Sequence, residues 1–163
     1  MAISIFLKLE DPPVEGESVV DGHKKEIDIA GWSWGMTQSG SMHVATGGGS
    51  GKVSVQDIHI SKQVDKSSPI LMKHCCSGQH FGKATLQITK AGGDKVVPYL
   101  TINMENVIIS GYNTGGNNGN ETINESVSLN FAKYKVVYKP QSEKGIAMPE
   151  VEHAWHIAEN KTY

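Results

Sequence analysis

The chain has 163 residues, a formal charge of −2 at neutral pH and 38% hydrophobic residues. That length suits one domain with its own core, and the balanced charge offers neither a basic footprint for nucleic acid nor an acidic solvating tail. The two cysteines, Cys75 and Cys76, are adjacent and give no disulfide framework, so packing must hold the fold.

The opening residues, MAISIFLKLEDPP, carry no basic leader and no small-residue cleavage site. They predict synthesis in the cytosol without a conventional secretory signal peptide. No apolar run approaches the roughly 20 residues of a membrane-crossing helix.

The dominant period is two, the mark of strands. Ile3, Ile5, Leu7 and Leu9 form a first strand that Asp11-Pro12-Pro13 ends. Ile27 and Ile29 begin a second run, which reaches Trp32-Ser33-Trp34-Gly35. Strand geometry puts both tryptophans on one face and Ser33 on the other. Val53 and Val55 open a third strand, and the change of phase at Ile58 and Ile60 predicts a β-bulge near Gln56-Asp57. The segment SSPILMKHCCSG reads as a short helix, with a serine cap at Ser67 or Ser68, Pro69 in its first turn and Gly78 at its end. Ala84, Leu86 and Ile88 make a short strand, and residues 96–110 a long or bent one, followed by a glycine-rich loop over 111–120. Val127, Leu129 and Phe131 alternate on one face of the next strand, with Tyr134, Val136 and Tyr138 on its other face. A last strand carries Val151, Trp155 and Ile157. About nine strands and one helix favour a mainly β fold, a closed or nearly closed barrel, because closure removes exposed edges.

The run TGGGSGKVS, residues 46–54, resembles a phosphate-binding loop at first sight. Such a loop needs G-x-x-x-x-G-K-[ST], and here Thr46 stands at the first glycine and Val53 at the magnesium-binding hydroxyl. The run also leads into a strand, where the anion site requires a helix N-terminus. It reads as an interaction or connecting loop. Ser50 lacks the glycine offsets of a nucleophile elbow. Cys76 and His80 have metal-ligand spacing, but Gly78 lies between them and no second pair supports them, so the cysteines read as small buried residues. Nothing in the sequence assembles a catalytic group, a metal site or a cofactor site.

Three segments together carry a family resemblance. HKKEIDIAGWSWGMTQSGSMH (23–43), GKVSVQDIHISKQVDKSSPILMKHCCSGQHFGKATLQITKAGG (51–93) and ESVSLNFAKYKVVY (125–138), with the closing Ala154-Trp155-His156-Ile157, resemble the haemolysin-coregulated protein (Hcp) family of bacterial type VI secretion. The resemblance covers residues 1–163 as a single Hcp-like barrel domain. It implies a two-sheet β-barrel with one flanking short helix, assembling into a hexameric ring. Rings would stack into a tube inside a contractile sheath, be expelled with a baseplate-mounted, VgrG-type spike, and carry secreted effectors in their lumen. The protein would be made in the cytoplasm of a Gram-negative bacterium and exported, with no enzymatic activity, cofactor, nucleic-acid partner or membrane insertion. It also implies that Ser33 contacts cargo in the lumen. A stacking loop over 38–52 would reach the next ring through Gln38, Ser41, Met42, His43, Gly47, Gly48, Gly49 and Lys52. The readings from other classes are a small β-barrel enzyme and a ligand-binding barrel outside any tube.

Overall fold

A computed structural model of the chain describes residues 2–40, 51–92, 95–141 and 148–163. The alternating runs become strands β1 (Ile3–Glu10), β2 (Ile27–Ile29), β3 (Gly31–Ser33), β4 (Met36–Thr37), β5 (Ser54–Val55), β6 (Ile58–Gln63), β7 (Phe81–Gly92), β8 (Lys95–Gly115), β9 (Asn124–Tyr138) and β10 (Val151–His156). The one described helix, α1, covers Ser68–Ser77. The main sheet runs β2-β1-β7-β8-β9-β6-β3 with β10 added to β9, and β4 and β5 pair separately.

Closure comes from one short segment. β2 and β3 lie at opposite ends of the strand order, yet only Ala30 separates them in sequence. Ile27–Ile29 pair with β1, the Ala30 amide donates to Ser61 O at 2.8 Å, and Gly31–Ser33 pair with β6. Residues 27–33 therefore change partners in mid-course and curl the sheet into a nearly closed barrel. Its two halves face each other across the core, which is the form that the two-sheet barrel takes.

The core contains Leu7, Ile27, Ile58, Leu86, Ile102 and Leu129, all essentially without solvent exposure. Each such side chain contributes about 1.5–3 kcal/mol by leaving water. On β7, β8 and β9 the inward set changes phase at one shared level. Above the row Lys83–Glu105–Lys133 the buried residues are Ala84, Met104 and Tyr134, and below it they are Phe81, Val107 and Phe131. The three strands bend together there. Asn106 takes a left-handed φ of 53°, and Gly82, whose Cβ would lie 2.9 Å from that of Asp11, sits at the same level. Tyr134 therefore joins the core with Phe131, although strict alternation assigns it to the opposite face.

Other sequence expectations are corrected too. The phase break at Gln56-Asp57 separates two strands of different sheets, so it is a change of partner and not a bulge in one ladder. β8 continues to Gly115 through a segment expected to be loop, and the irregularity lies between Ile109 and Gly111. Cys76 is exposed, while Cys75 is half-buried. The helix starts after Ser67 and stops at a left-handed Gly78, whose amide donates to His74 O at 2.9 Å. Ser67 makes no side-chain cap; its own amide instead donates to Asp65 Oδ1 at 2.9 Å.

At that helix start lies a buried charge network. Lys62 and Glu125 form an ion pair with both side chains fully buried. The Lys62 ammonium also donates to Asp65 Oδ1 at 3.1 Å and to Gln63 O at 3.0 Å. The Ser68 hydroxyl donates to Glu125 Oε1 at 2.8 Å, and the Tyr112 hydroxyl donates to Glu125 Oε2. The network joins β6, β8, β9 and α1 at one point. Its charges lie in phase with inward apolar positions, Lys62 after Ile58 and Ile60, and Glu125 before Val127 and Leu129.

Breaking such a pair from one side leaves a buried charge, which costs about 3–5 kcal/mol. Lys62→Met is expected to lose that much in urea unfolding, whereas Lys62→Met with Glu125→Leu recovers most of it; equal losses in the two variants would refute the coupling. Burial, then the hydrogen bond to Glu125, pushes the Tyr112 hydroxyl from 10.0 up to about 12. The folded state therefore holds a proton that the unfolded chain releases first. This contribution is complete below pH 10 and disappears as pH rises towards 12, so the urea midpoint should fall more steeply across that interval in the natural chain than in Tyr112→Phe.

Candidate functional site

The inward residues of β3, β6, β9 and the far half of β8 are apolar apart from the Lys62–Glu125–Tyr112 network, so alternation turns the intervening residues outward. Those outward residues form three rows across four strands. The first is Ser33–His59–Ser128–Gly111, the second Gly31–Ser61–Ser126–Asn113, and the third Gln63–Asn124–Gly115. None carries a lysine, arginine, aspartate or glutamate. All but Gly31, Gly111 and Ser128 are exposed, and those three are half-buried. The result is a flat wall of short polar side chains.

Close approaches keep it flat. A Cβ on Gly111 would lie 2.6 Å from Ser128 Oγ, and one on Gly31 would lie 3.1 Å from Ser61 Oγ. Where β8 gains its extra residue, the Ser110 hydroxyl donates to Asp57 Oδ2 at 2.6 Å and lies 2.9 Å from Ser128 Oγ. Asn130 Nδ2 donates to the other Asp57 oxygen at 2.8 Å. Asp57, the acid at the margin of the wall, is thus occupied in pinning the start of β6 to β8 and β9.

Behind Ser33, Trp32 and Trp34 pack against the core. Trp34 meets Tyr134 edge-on at 4.8 Å between ring centroids, and its Nε1 donates to Gln56 O at 2.8 Å. Both tryptophans therefore act as backing, and Ser33 faces outward at the wall's edge strand, as the alternation predicts. Gln38 and Lys52, expected in a stacking loop, are both exposed and flank the undescribed stretch. Ser41, Met42, His43, Gly47, Gly48 and Gly49 lie outside the described residues. His59, Ser61, Ser126 and Ser128 were missed by sequence reasoning. Their signal is present as serines and a histidine at every second position of two strands, but only the pairing register brings them beside Ser33. Among the described residues, no helix is long and apolar enough to cross a membrane.

Comparison with known proteins gives this wall its context. Residues 6–138 match the family described as type VI secretion system effector, Hcp. The chain belongs to the Hcp family. It is 47% identical over 161 residues to the protein hcp1 of Pseudomonas aeruginosa, covering 98% of each chain. A structure of a type six secretion system protein superposes with a TM-score of 0.91 at 28% identity, over 99% of this chain and 100% of that one. Hcp1 from Salmonella typhimurium gives 0.80 at 31% identity, over 100% of both chains. Hcp is a secreted, structural component of type VI secretion and not an enzyme family, so the wall is read as a contact surface.

The tight fit at Gly111 is testable in isolation. Gly111→Ala should cost about 0.5–1.5 kcal/mol, because the Ser128 hydroxyl must turn away and give up its hydrogen bond with Ser110. Adding Ser128→Ala, which removes the hydroxyl that the new methyl meets, should return part of it. Urea midpoints of the two variants that do not differ would overturn this account of the flat wall.

Proposed function

We propose that this Hcp chain, residues 1–163 acting as one barrel, is the repeating subunit of a hexameric ring whose lumen is lined by the small polar wall. In this reading rings stack into the inner tube of the secretion machine and are expelled with effectors inside. The observation that carries it is the wall's lack of fixed charge across its three rows. Such a surface offers hydrogen bonds to many cargo surfaces, while a like-charge encounter, which costs several kcal/mol, is avoided for cargo of either sign. Ser33 is the proposed cargo contact, with His59 beside it.

Ring closure is supported by the unlike edges of the same wall. β3 bounds it on one side, paired among the described residues with β6 alone. On the other side β7 stops pairing at Val107, so among the described residues β8 from Ile108 to Gly115 has a strand neighbour only in β9. Head-to-tail rings join two different surfaces of each copy, and strand edges carry backbone donors and acceptors suited to it. The loop bounded by Gln38 and Lys52 is the proposed stacking element, on the resemblance to the family. Contacts with sheath, baseplate, VgrG-type spike and effectors belong to the same proposal, as does export without a cleavable signal peptide.

Light scattering of the purified chain should give a mass near six times 17.6 kDa, and a stable monomer would overturn the ring. Ser33→Arg should leave that mass unchanged while reducing co-purified effector about tenfold, the effect of roughly 1.4 kcal/mol. Undiminished cargo would remove Ser33 from the lumen. Deleting Gly47–Gly49 should reduce the length of tubes seen by electron microscopy and leave single rings intact; tubes of unchanged length would refute the stacking role.

A further inference from the structure

We propose that Asn118 is a site of spontaneous deamidation, with the backbone nitrogen of Gly119 as the attacking atom. Residues 116–123 join β8 to β9, and within them Asn117–Asn118–Gly119–Asn120 forms a turn beyond the end of the polar wall. Asn118 is exposed, and among the described residues the turn around it has one backbone hydrogen bond, from the Asn120 amide to Asn117 O at 3.2 Å. Exposed turns of this kind open at little cost. Among the described residues, the Gly119 amide has no backbone acceptor to hold it. Gly119 takes φ +97°, and the space where a Cβ would stand is empty to 4 Å. Its nitrogen can therefore swing towards the Asn118 carboxamide with neither a side chain nor a ladder in the way.

The other asparagines lack this combination, since Asn118 alone is followed by glycine. Asn103, Asn113, Asn124 and Asn130 lie within the β8–β9 ladder. Asn106 precedes the β-branched Val107 in the same ladder. Asn160 precedes Lys161, whose amide donates to His156 O. Asn117 and Asn120 precede Asn118 and Glu121, each with a side chain on the attacking residue.

In the reaction the Gly119 nitrogen loses its proton and bonds to Asn118 Cγ. The Cγ–Nδ2 bond breaks, and ammonia leaves with that proton. A five-membered imide remains, and water opens it at either carbonyl. The products are aspartate, or isoaspartate with the backbone running through the former side chain. No oxidant or reductant takes part. Each event adds one negative charge at the hairpin tip, to a chain whose formal charge is −2. The inference concerns the chain itself and stands whether or not rings form.

The test incubates the purified natural chain in mildly alkaline and mildly acidic buffers and follows peptide masses against time. The NH-to-O mass increment should accumulate at Asn118 ahead of every other asparagine, and faster in the alkaline buffer, where the attacking nitrogen gives up its proton more readily. Asp21-Gly22 can rearrange through the same imide, but without any change of mass, so it does not confuse the readout. Gly119→Ala should slow Asn118 to the rate of its neighbours. A synthetic peptide of residues 115–121 supplies the unfolded rate. An Asn118 that stays intact after that peptide has fully converted would overturn the proposal, as would conversion led by another asparagine.

Discussion

The structure depends on the demand that strand edges find partners. A seven-strand path left open would expose two rows of unpaired amides and carbonyls. Residues 27–33 meet most of this demand by serving both ends of the sheet, β1 through Ile27–Ile29 and β6 through Gly31–Ser33. Ala30 is the pivot, and the hydrogen bond that its amide donates to Ser61 O is the first link to the second half. Everything described for the wall follows from that closure, because it sets which residues of β3 lie beside which residues of β6.

Closure also explains the two exceptions inside the barrel. β7, β8 and β9 must bend to meet across the core, and their inward phase shifts at one shared level, so both Phe131 and Tyr134 are buried on the same strand. The charges of Lys62 and Glu125 lie in apolar phase because their partners converge there from α1 and β8. A buried pair of this kind contributes little net stability, and its value lies in penalising misregister of β6 on β9, which would strand either charge.

Function, in a member of the Hcp family, is a matter of surfaces. The wall has short side chains, glycines at two close approaches and an acid at its margin already occupied by Ser110 and Asn130. These features produce a smooth, hydrogen-bonding surface with no chemistry attached, consistent with a structural protein. The same strands are joined through a turn, Asn117–Asn120, where the proposed reaction is directed at the chain itself.

Much of this was legible in residue order. Period two marked the strands, Pro69 and Gly78 bounded the helix, and Trp32-Ser33-Trp34 separated an inward from an outward face, because side-chain direction follows local geometry. Family membership was legible in the ordered segments around Trp32, Ser67 and Val127. What the sequence left open were matters of partnership. Alternation could not show that Gln56-Asp57 divides two sheets, that β8 keeps its ladder through a bulge to Gly115, or that Lys62 finds Glu125 across 63 positions. Nor could it align His59 and Ser128 with Ser33, since a one-residue slip in register would have turned each of them inward. The sequence by itself determined which way side chains point along each strand, except at the shared bend of β7, β8 and β9, where Tyr134 joins Phe131 in the core. Tertiary structure decided which strands lie side by side, because that choice rests on long-range closure and on the burial of one ion pair.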